Sequence, residues 1–509
     1  MIKFFSAPWI ILLLGISVER LFAEEFPNRQ KIGMNLAGII DFQSQIPFAN
    51  VFKTARPWMK DEAELRAIPL TTNGYPLLKS GQSLDYFMLT IEGGHYPAGV
   101  YTATYKGKGR VEMRRFSVDQ VITETSGRIE ARVKPGPSLL LTILQTDPAD
   151  PIRDIVVSLP GLEHSKSPFN PAFIERLKPF GTIRFMDFQR MNDSPVKTWA
   201  ERAQLSDARW SGDAGAPIEI MVELANRLKA NPWFCMPHLA DDHFVRQFAT
   251  LVKSQLDPNL IIYIEHSNEV WNMQFGQARY AAQKGKEMNL SSNAYQAQLF
   301  YHSRRSLEIF RLWSEVFGPD ARKRLVRVMA SHAANPWASE QVLTYQDAFK
   351  ECDALAIAPY FGHSHGEPKH LQQTLALSAE QLAAELLAEV NGRNKAEIEK
   401  QAAVARKYQV KLLAYEGGQH LVGIQGAENN EALTRLFTAV NRHPHMKRIY
   451  QQHLEHWYAA GGDLFVAFSN VAQPSKWGCW GALEYQEQPL AEAPKYRALL
   501  DYSQRKQSR

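Results

Sequence analysis

Short, wholly apolar runs alternate with amphipathic stretches from about residue 161 to the end of the chain. Such runs are typical of parallel β-strands covered on both faces, and the stretches between them have the periodicity of surface helices. We predict strands at residues 182–186, 233–238, 261–266, 325–330, 354–360, 410–415 and 464–469. A similar run at 32–36 brings the number to eight, the strand number of a TIM (β/α)8 barrel.

Residues 61–160 follow a different pattern, in which apolar and polar positions alternate one by one. Segments such as DYFMLTIE, GVYTATYKG and RIEARVK are separated by turns rich in glycine and proline. This period of two predicts antiparallel sheets with one buried face and one wet face. The sequence therefore predicts an α/β fold, a TIM (β/α)8 barrel, with a small antiparallel β-sandwich inserted between strands one and two. The expected boundaries are 24–60 for the first barrel strand and its loop, 61–160 for the sandwich, and 161–502 for the rest of the barrel.

The first 23 residues resemble a secretory signal peptide. Lys3 precedes an apolar core at 7–18, and the small residue Ala23 stands before Glu24. We therefore expect a secreted or periplasmic protein with no stable membrane span after cleavage. An uncleaved anchor is the alternative, because Glu19 and Arg20 lie close to the cleavage point. The charged and polar residues 503–509 predict a disordered tail.

The composition of the chain limits which partners and cofactors we expect. The 509-residue chain is 45% hydrophobic and 22% charged, and its net charge of +5 is not gathered into a basic stripe. We expect a large core and no nucleic-acid partner. The cysteines Cys235, Cys352 and Cys479 match no zinc pattern and are too few for a disulfide framework. They are expected to be buried, although export would permit one bridge.

Two glutamates follow predicted strands. Glu269 comes after strand four in YIEHSNEVWN, and Glu416 ends strand seven in LLAYEGGQH. The carboxyl ends of all strands of a TIM barrel meet on one face, where catalytic residues lie. Glycosidic bonds are hydrolysed by paired carboxyl groups, one of which protonates the leaving oxygen while the other attacks or activates water. The two glutamates therefore predict hydrolysis of a carbohydrate substrate, with no metal and no organic cofactor.

This order of residues resembles the clan of retaining (β/α)8-barrel glycoside hydrolases that includes cellulases, mannanases, xylanases and β-galactosidases. Asn268 and Glu269 match the clan's Asn-Glu pair after strand four, and Glu416 matches its glutamate at strand seven. The resemblance covers roughly residues 30–58 and 161–500, but not the sandwich. It implies that Glu269 is the acid/base, that Glu416 is the nucleophile, and that Asn268 hydrogen-bonds the sugar 2-hydroxyl group.

The resemblance also implies roles for residues near other strand ends. Arg184 on strand two is expected beside the nucleophile, where its charge would keep that carboxylate ionised. Tyr360 after strand six is expected to hydrogen-bond the same carboxylate, and His238 after strand three is expected to contact substrate. Trp477 and Trp480 follow strand eight. One of them, for which we favour Trp480, is expected to form the floor under the cleaved sugar.

Two other functions fit parts of the sequence. Metal-dependent hydrolases also use TIM barrels, and PHLADDHF at 237–244 concentrates histidine and aspartate. Strand one supplies no ligand, however, and a catalytic zinc needs three convergent ligands. A barrel that binds a glycan without cutting it is the other alternative, against which the complete pair of acids argues. No motif specifies the glycan, its linkage, or endo against exo action.

Overall fold

A computed structural model describes residues 25–505, and its central feature is a closed barrel of eight parallel strands. The strands of the molecule in chain order are β1 (Ile32–Asn35), β2 (Arg56–Trp58), β3 (Leu84–Phe87), β4 (Gly99–Lys106), β5 (Gly109–Glu112), β6 (Val118–Thr125), β7 (Arg128–Val133), β8 (Leu140–Thr146), β9 (Arg153–Ser158), β10 (Thr182–Arg184), β11 (Asn231–Met236), β12 (Ile262–His266), β13 (Leu325–Ala330), β14 (Ala354–Ile357), β15 (Lys411–Ala414) and β16 (Gly462–Ala467). The barrel runs from β1 through β10 to β16, and β16 pairs with β1 to close it. Each predicted barrel strand overlaps an observed one, so the TIM-barrel prediction is confirmed.

Most helices follow barrel strands in the chain and cover the outside of the barrel, whereas the first helix belongs to the segment between β2 and β3. In chain order they are α1 (Glu62–Ala67), α2 (Pro171–Leu177), α3 (Ile218–Leu228), α4 (Asp242–Gln255), α5 (Gly276–Glu287), α6 (Ala294–Phe317), α7 (Ala321–Arg324), α8 (Pro336–Thr344), α9 (Leu371–Leu375), α10 (Ala379–Glu389), α11 (Lys395–Lys407), α12 (Glu431–Arg442), α13 (His445–Ala459) and α14 (Pro494–Gln504). A π-helical turn at Val390–Asn394 joins α10 to α11.

Side chains of the barrel strands alternate between two buried clusters. Tyr415 and Trp233 belong to the cluster inside the barrel, whereas Phe234 and Ile264 belong to the cluster between the strands and the helices. The alternation follows from the pleat of a strand, which sends successive side chains to opposite faces. Polar residues at inward positions therefore point towards the barrel axis.

The segment between β1 and β10 forms two four-stranded antiparallel sheets. One sheet has the order β2-β3-β8-β5 and the other has the order β6-β7-β4-β9. Both sheets contribute to one hydrophobic cluster, which includes Tyr86 and Leu141 from the first sheet and Tyr101 and Val157 from the second. The first of these strands begins at Arg56, ahead of the boundary expected at 61.

Loops of the inserted segment contact the loops that follow β16. The side chain of Gln473 exchanges two hydrogen bonds with the backbone of Glu92, at 2.8 and 3.3 Å. The rings of His95 and Tyr485 stack with their centroids 3.7 Å apart. The insertion is thereby fixed to the barrel near the segment that carries Trp477 and Trp480.

The ends of the chain bear on two predictions. The predicted signal peptide at 1–23 lies outside the described residues. Helix α14 extends to Gln504 and buries Ser503, so residues 503 and 504 of the predicted tail are helical, and residues 506–509 lie outside the described residues. Among residues 25–505, none of the helices combines enough length and apolar character to span a bilayer.

All three cysteines are buried free thiols.

Candidate active site

Glu416 and Glu269 lie at the carboxyl end of the barrel, two residues beyond β15 and three residues beyond β12. The residue Glu416 is 5% exposed, and Glu269 is half-buried. The backbone of Glu269 has a φ of +42°, and that of Ser267 has a φ of +57°. Few non-glycine residues adopt this left-handed conformation, and such residues are frequent at functional sites. The turn after β12 therefore holds Glu269 in an unusual orientation at the mouth of the barrel.

Arg184 lies at the centre of the site with its side chain fully buried. Its Nη1 donates to Oε1 of Glu416 at 2.9 Å and to Asn35 at 3.1 Å. Its Nε and Nη2 donate to the carboxylate of Glu265 at 2.9–3.1 Å, and Nη2 also donates to Oδ1 of Asn268 at 2.9 Å. One buried guanidinium is thus shared between two buried carboxylates.

The second oxygen of Glu416 has its own donor. The hydroxyl of Tyr360 donates to Oε2 at 2.9 Å, so both carboxylate oxygens accept a hydrogen bond. Burial raises the pKa of Glu416, while the charge of Arg184 and the hydrogen bond from Tyr360 oppose that rise. The arrangement holds the carboxylate in one orientation and stabilises its ionised form.

Glu269 has a different environment, because no cation contacts it among the described residues. Its carboxyl group accepts hydrogen bonds from Asn272 at 2.8 Å and from the hydroxyl of Tyr415 at 3.3 Å. Burial and the nearby charge of Glu416 raise the pKa of Glu269 to about 7. A carboxyl group of this kind keeps its proton in mildly acidic solution, which is the state that a general acid requires.

Asn268, which directly precedes Glu269, is held by hydrogen bonds to three neighbouring side chains. It is 2% exposed, its Oδ1 accepts from Arg184, and its Nδ2 donates to Asn192 at 3.0 Å. Gln277 donates to the backbone carbonyl of Asn268 and to the side chain of Asn192, both at 2.8 Å. This network fixes the turn that carries the predicted acid/base.

Aromatic rings flank the glutamates on the side of β14 to β16. Trp480 lies 5.8 Å from Tyr360, 5.1 Å from His420 and 5.6 Å from Phe468, measured between ring centroids. Burial lowers the pKa of His420 to about 4, so this ring is neutral. Trp477 is 63% exposed and contributes its carbonyl, which accepts from Nε1 of Trp480 at 2.7 Å. The structure therefore brings Trp480 to the site and leaves the ring of Trp477 in solvent.

The side of Glu269 carries another flat surface. The ring of Trp271 stacks on that of His332 with centroids 4.1 Å apart and planes 4° apart, and its Nε1 donates to the hydroxyl of Tyr415 at 3.2 Å. His238 is buried and packs edge-on against Tyr280. Its Nδ1 has no hydrogen-bond partner within residues 25–505, and burial lowers its pKa to about 4.

Several residues of the site are absent from the sequence prediction. Glu265, Asn35, Tyr415 and Asn272 all contact a predicted residue directly. The signal for Glu265 was a lone charged residue inside the apolar strand IYIEH. The side chain of Asp187, three residues after Arg184, is half-buried and makes no hydrogen bond within residues 25–505, whereas the backbone carbonyl of Asp187 accepts from Arg190 at 3.0 Å. Burial and the charge of Glu416 raise the pKa of Asp187 to about 7.

The histidine and aspartate cluster at 237–244 forms the start of a helix. Asp241 caps α4 by accepting from the backbone of Phe244 at 2.7 Å, and Asp242 pairs with Arg305 at 2.7 Å. Across residues 25–505, no three side chains of histidine, cysteine, aspartate or glutamate converge as a set of metal ligands.

Comparison with known proteins gave matches to solved structures alone. No protein-family model and no curated protein matches the chain. A GH51 arabinofuranosidase from Xanthomonas axonopodis pv. citri is 13% identical with a TM-score of 0.41, over 67% of each chain. A GH5-4 broad specificity endoglucanase from Clostridium acetobutylicum is 12% identical with a TM-score of 0.39, over 67% of this chain and 92% of its own. The endo-β-1,4-mannanase from Thermotoga petrophila is 12% identical with a TM-score of 0.34, over 65% of this chain and 71% of its own.

Proposed function

We propose that this protein is a retaining glycoside hydrolase that cleaves a poly- or oligosaccharide through a glycosyl-enzyme intermediate. The observation that carries the proposal is the contrast between two carboxyl groups at one end of the barrel. Glu416 is bound by Arg184 and Tyr360, which favours the ionised form. Within residues 25–505 no cation contacts Glu269, and burial beside Glu416 raises the pKa of Glu269 to about 7, which favours the protonated form. Two acids whose environments separate their protonation states are suited to the roles of nucleophile and general acid.

The reaction would proceed in two displacements. Glu269 gives its proton to the leaving oxygen while Glu416 attacks the anomeric carbon, and Glu269 then takes a proton from the water that releases the sugar. Asn268 would hydrogen-bond the 2-hydroxyl group, a contact that strengthens in the transition state. Trp480 would pack under the sugar held for attack, and Trp271 with His332 would flank the leaving group beside Glu269.

We further propose that the two antiparallel sheets form a β-sandwich that braces the cleft. Their shared hydrophobic cluster supports the sandwich, and the contacts of Glu92 and His95 with the loops after β16 support the bracing role. We also propose that the protein is exported, on the strength of the apolar segment near its start.

The decisive experiment is hydrolysis of a glycan panel by the wild-type protein beside Glu416→Ala and Glu269→Ala. We expect one class of glycan to be cut, and each variant to lose about three orders of magnitude in kcat/KM. Glu431→Ala is the matched control, because that side chain is 88% exposed. Proton NMR of the first-formed product should show the anomer of the substrate, and the opposite anomer would exclude the retaining mechanism.

Two results would replace the proposal. If the wild-type protein binds a glycan without turnover and Glu416→Gln binds equally well, the barrel is a binding protein. If a chelator abolishes activity and Glu416→Ala retains it, the reaction depends on a metal. Rescue of Glu269→Ala by azide, with formation of a glycosyl azide of the same anomeric configuration as the substrate, would identify Glu269 as the acid/base.

A further inference from the structure

The sheet β2-β3-β8-β5 has an outer face that the core does not use. Alternation along β3 sends Leu84 and Tyr86 into the core and leaves Asp85 and Phe87 on the opposite face. In the register of the sheet, Trp58 lies opposite Asp85. A tryptophan and a phenylalanine therefore stand on the same outward face of neighbouring strands.

Three aromatic side chains form a row on this face. Trp58 is 44% exposed, Phe116 is 57% exposed, and the ring centroid of Phe87 lies 6.1 Å from each of them. We call Trp58, Phe87 and Phe116 the aromatic strip. Single exposed apolar residues are ordinary on a protein surface, but a contiguous group marks a binding site.

The backbone at Phe116 supports a role for this exposed ring. Phe116 lies in the turn between β5 and β6 with a φ of +55°, in the left-handed region that bulky side chains rarely adopt. An exposed phenylalanine in such a conformation adds nothing to the core and costs backbone energy. Both facts are accounted for if the ring is presented to a ligand.

Polar groups surround the strip. A surface cavity of about 720 Å³ is lined by Trp58, Met59, Lys60, Ser83 and four carboxylates, namely Asp61, Glu62, Glu64 and Asp85. Asp85 is bound by Arg115 at 2.7 Å and by Thr142 at 2.7 Å, so this carboxylate is held rigidly beside the rings. Arg66 pairs with Glu62 at 2.9 Å, Arg115 pairs with Asp85, and Lys60 lines the same cavity, so the surface is close to charge balance. A balanced surface offers no electrostatic attraction to nucleic acid, anionic lipid or acidic polysaccharide. Carboxylates accept hydrogen bonds from hydroxyl groups, and aromatic rings pack against sugar C–H faces, so an uncharged glycan fits this combination.

The strip is connected to the mouth of the barrel. Arg56, opposite Phe87 in the sheet, binds the carboxylate of Asp41 through two hydrogen bonds of 2.8 and 2.9 Å. Asp41 belongs to the loop that follows β1, and Asn35 at the end of β1 binds Arg184. The sheet that carries the strip is therefore fixed, through Arg56 and Asp41, to the loop that follows β1 at the carboxyl end of the barrel.

We propose that the aromatic strip is a second binding surface for an uncharged polysaccharide, holding a stretch of the chain outside the cleft. The identification of this polymer with the substrate of the barrel rests on the proposed function. Binding by the strip itself does not require catalysis, so the two ideas can fail separately.

The test compares Trp58→Ala, Phe116→Ala and the double variant with the wild-type protein. Affinity electrophoresis of these proteins, each carrying Glu416→Ala in addition, through gels containing a β-glucan, a galactomannan or an arabinoxylan measures binding without turnover. Each single variant should weaken binding to the retained polymer by about five- to ten-fold, as expected for loss of one ring contact. For the same polymer KM should rise, while kcat/KM for a short aryl glycoside should stay at the wild-type value. Met288→Ala is the matched control, because Met288 is also 44% exposed and lies outside the strip.

Three results would overturn the proposal. Binding that is unchanged in the double variant would show that the strip takes no glycan. Equal losses on polymer and aryl glycoside would show that the variants act through the catalytic site. A dimer of the wild-type protein in sedimentation, dissociated by Trp58→Ala, would assign the strip to a second copy of this chain. If the wild-type protein cuts nothing on the panel, the proposed function fails, and the electrophoresis still decides the strip.

Discussion

The sharing of Arg184 between two carboxylates leads to a prediction for Glu265→Gln. The amide preserves the shape of the side chain and removes one of the two negative charges that Arg184 serves. The full charge of the guanidinium then acts on Glu416. The charge of Glu265 also repels the ionised form of Glu416 in the intact protein and raises its pKa. Both effects predict a lower pKa for Glu416 in the variant.

The size of the effect follows from the geometry. Glu265 and Glu416 bind different nitrogens of one guanidinium at 2.9 Å, which places their charges roughly 6 Å apart. With an effective dielectric constant of about 20, the repulsion is about 3 kcal/mol, which corresponds to a pKa difference of about 2. Partial screening reduces it, so we expect the pKa of Glu416 to fall by about 1 to 2. Because a buried ion pair is broken, the free energy of unfolding should also fall by about 3 to 5 kcal/mol.

The assay is the pH dependence of kcat/KM on an aryl glycoside, since its acid limb reports the nucleophile of the free enzyme. In Glu265→Gln this limb should move to lower pH by about 1 to 2, and kcat should fall because a less basic carboxylate is a weaker nucleophile. Glu265→Asp is the control, because it keeps the charge and shortens the side chain. It should lose stability in urea while its acid limb stays near the wild-type position.

The reasoning would be refuted by an unmoved acid limb in Glu265→Gln together with a normal loss of stability. Glu265 would then support the barrel without influencing the chemistry. An equal displacement of the limb in Glu265→Asp would also refute it, because that variant changes position and not charge.

Three further predictions concern the glutamates and their donors. Activity should fall as pH rises through about 7, because Glu269 must carry a proton to act as the acid. In Glu269→Gln, the pH profile measured with an activated aryl glycoside should lack this alkaline limb. The free energy of unfolding should fall over the same range: the pKa of Glu269 is raised from an ordinary value of 4.5 to about 7, so its contribution is fully present below 4.5 and lost as pH rises through 7. Urea titrations at pH 4.5 and 8 should therefore differ by about 3 kcal/mol more in the wild-type protein than in Glu269→Gln. Tyr360→Phe removes one hydrogen bond from Glu416, so the acid limb of the pH profile should move to higher pH. The value of kcat/KM should fall by about ten- to a hundred-fold. An acid limb that moves to lower pH would contradict the assigned contact.

The barrel could be predicted from the sequence because its strands are covered on both faces. Continuous apolar runs mark such strands, whereas their ends are less visible. Strand β14 ends at Ile357, but apolar residues continue to Tyr360, and the predicted strand continued with them. Strand β2 contains only Arg56, Pro57 and Trp58, which is too short to show an alternation. Its place in a sheet depends on pairing with β3, and that pairing is a tertiary property.

The residues of the candidate site also differ in whether the sequence alone could reveal them. Glu269, Glu416 and Tyr360 follow strands, and residues after barrel strands gather at one face whatever the details of packing. Glu265 lies inside β12, where its importance depends on which face of the strand it occupies. Cys235 and Val328 pair with Glu265 in the neighbouring strands, and both belong to the cluster inside the barrel. Glu265 therefore points into the barrel, where its carboxylate reaches Arg184. This inward orientation can be predicted only when the register of the three neighbouring strands is known.

The charges of Arg184, Glu265 and Glu416 are buried together, and their combined effect explains the state of each acid. Burying Arg184 with a single carboxylate would give a neutral pair, in which Glu416 would be strongly held and weakly basic. Adding Glu265 supplies a second partner through Nε and Nη2 and leaves Nη1 for Glu416. The excess of negative charge then raises the proton affinity of the neighbouring acids, and Glu269, which contacts no cation among the described residues, takes the proton. In the proposed mechanism, the same excess of negative charge therefore keeps Glu416 basic and keeps Glu269 protonated up to about pH 7. One substitution at Glu265 should for this reason alter both roles.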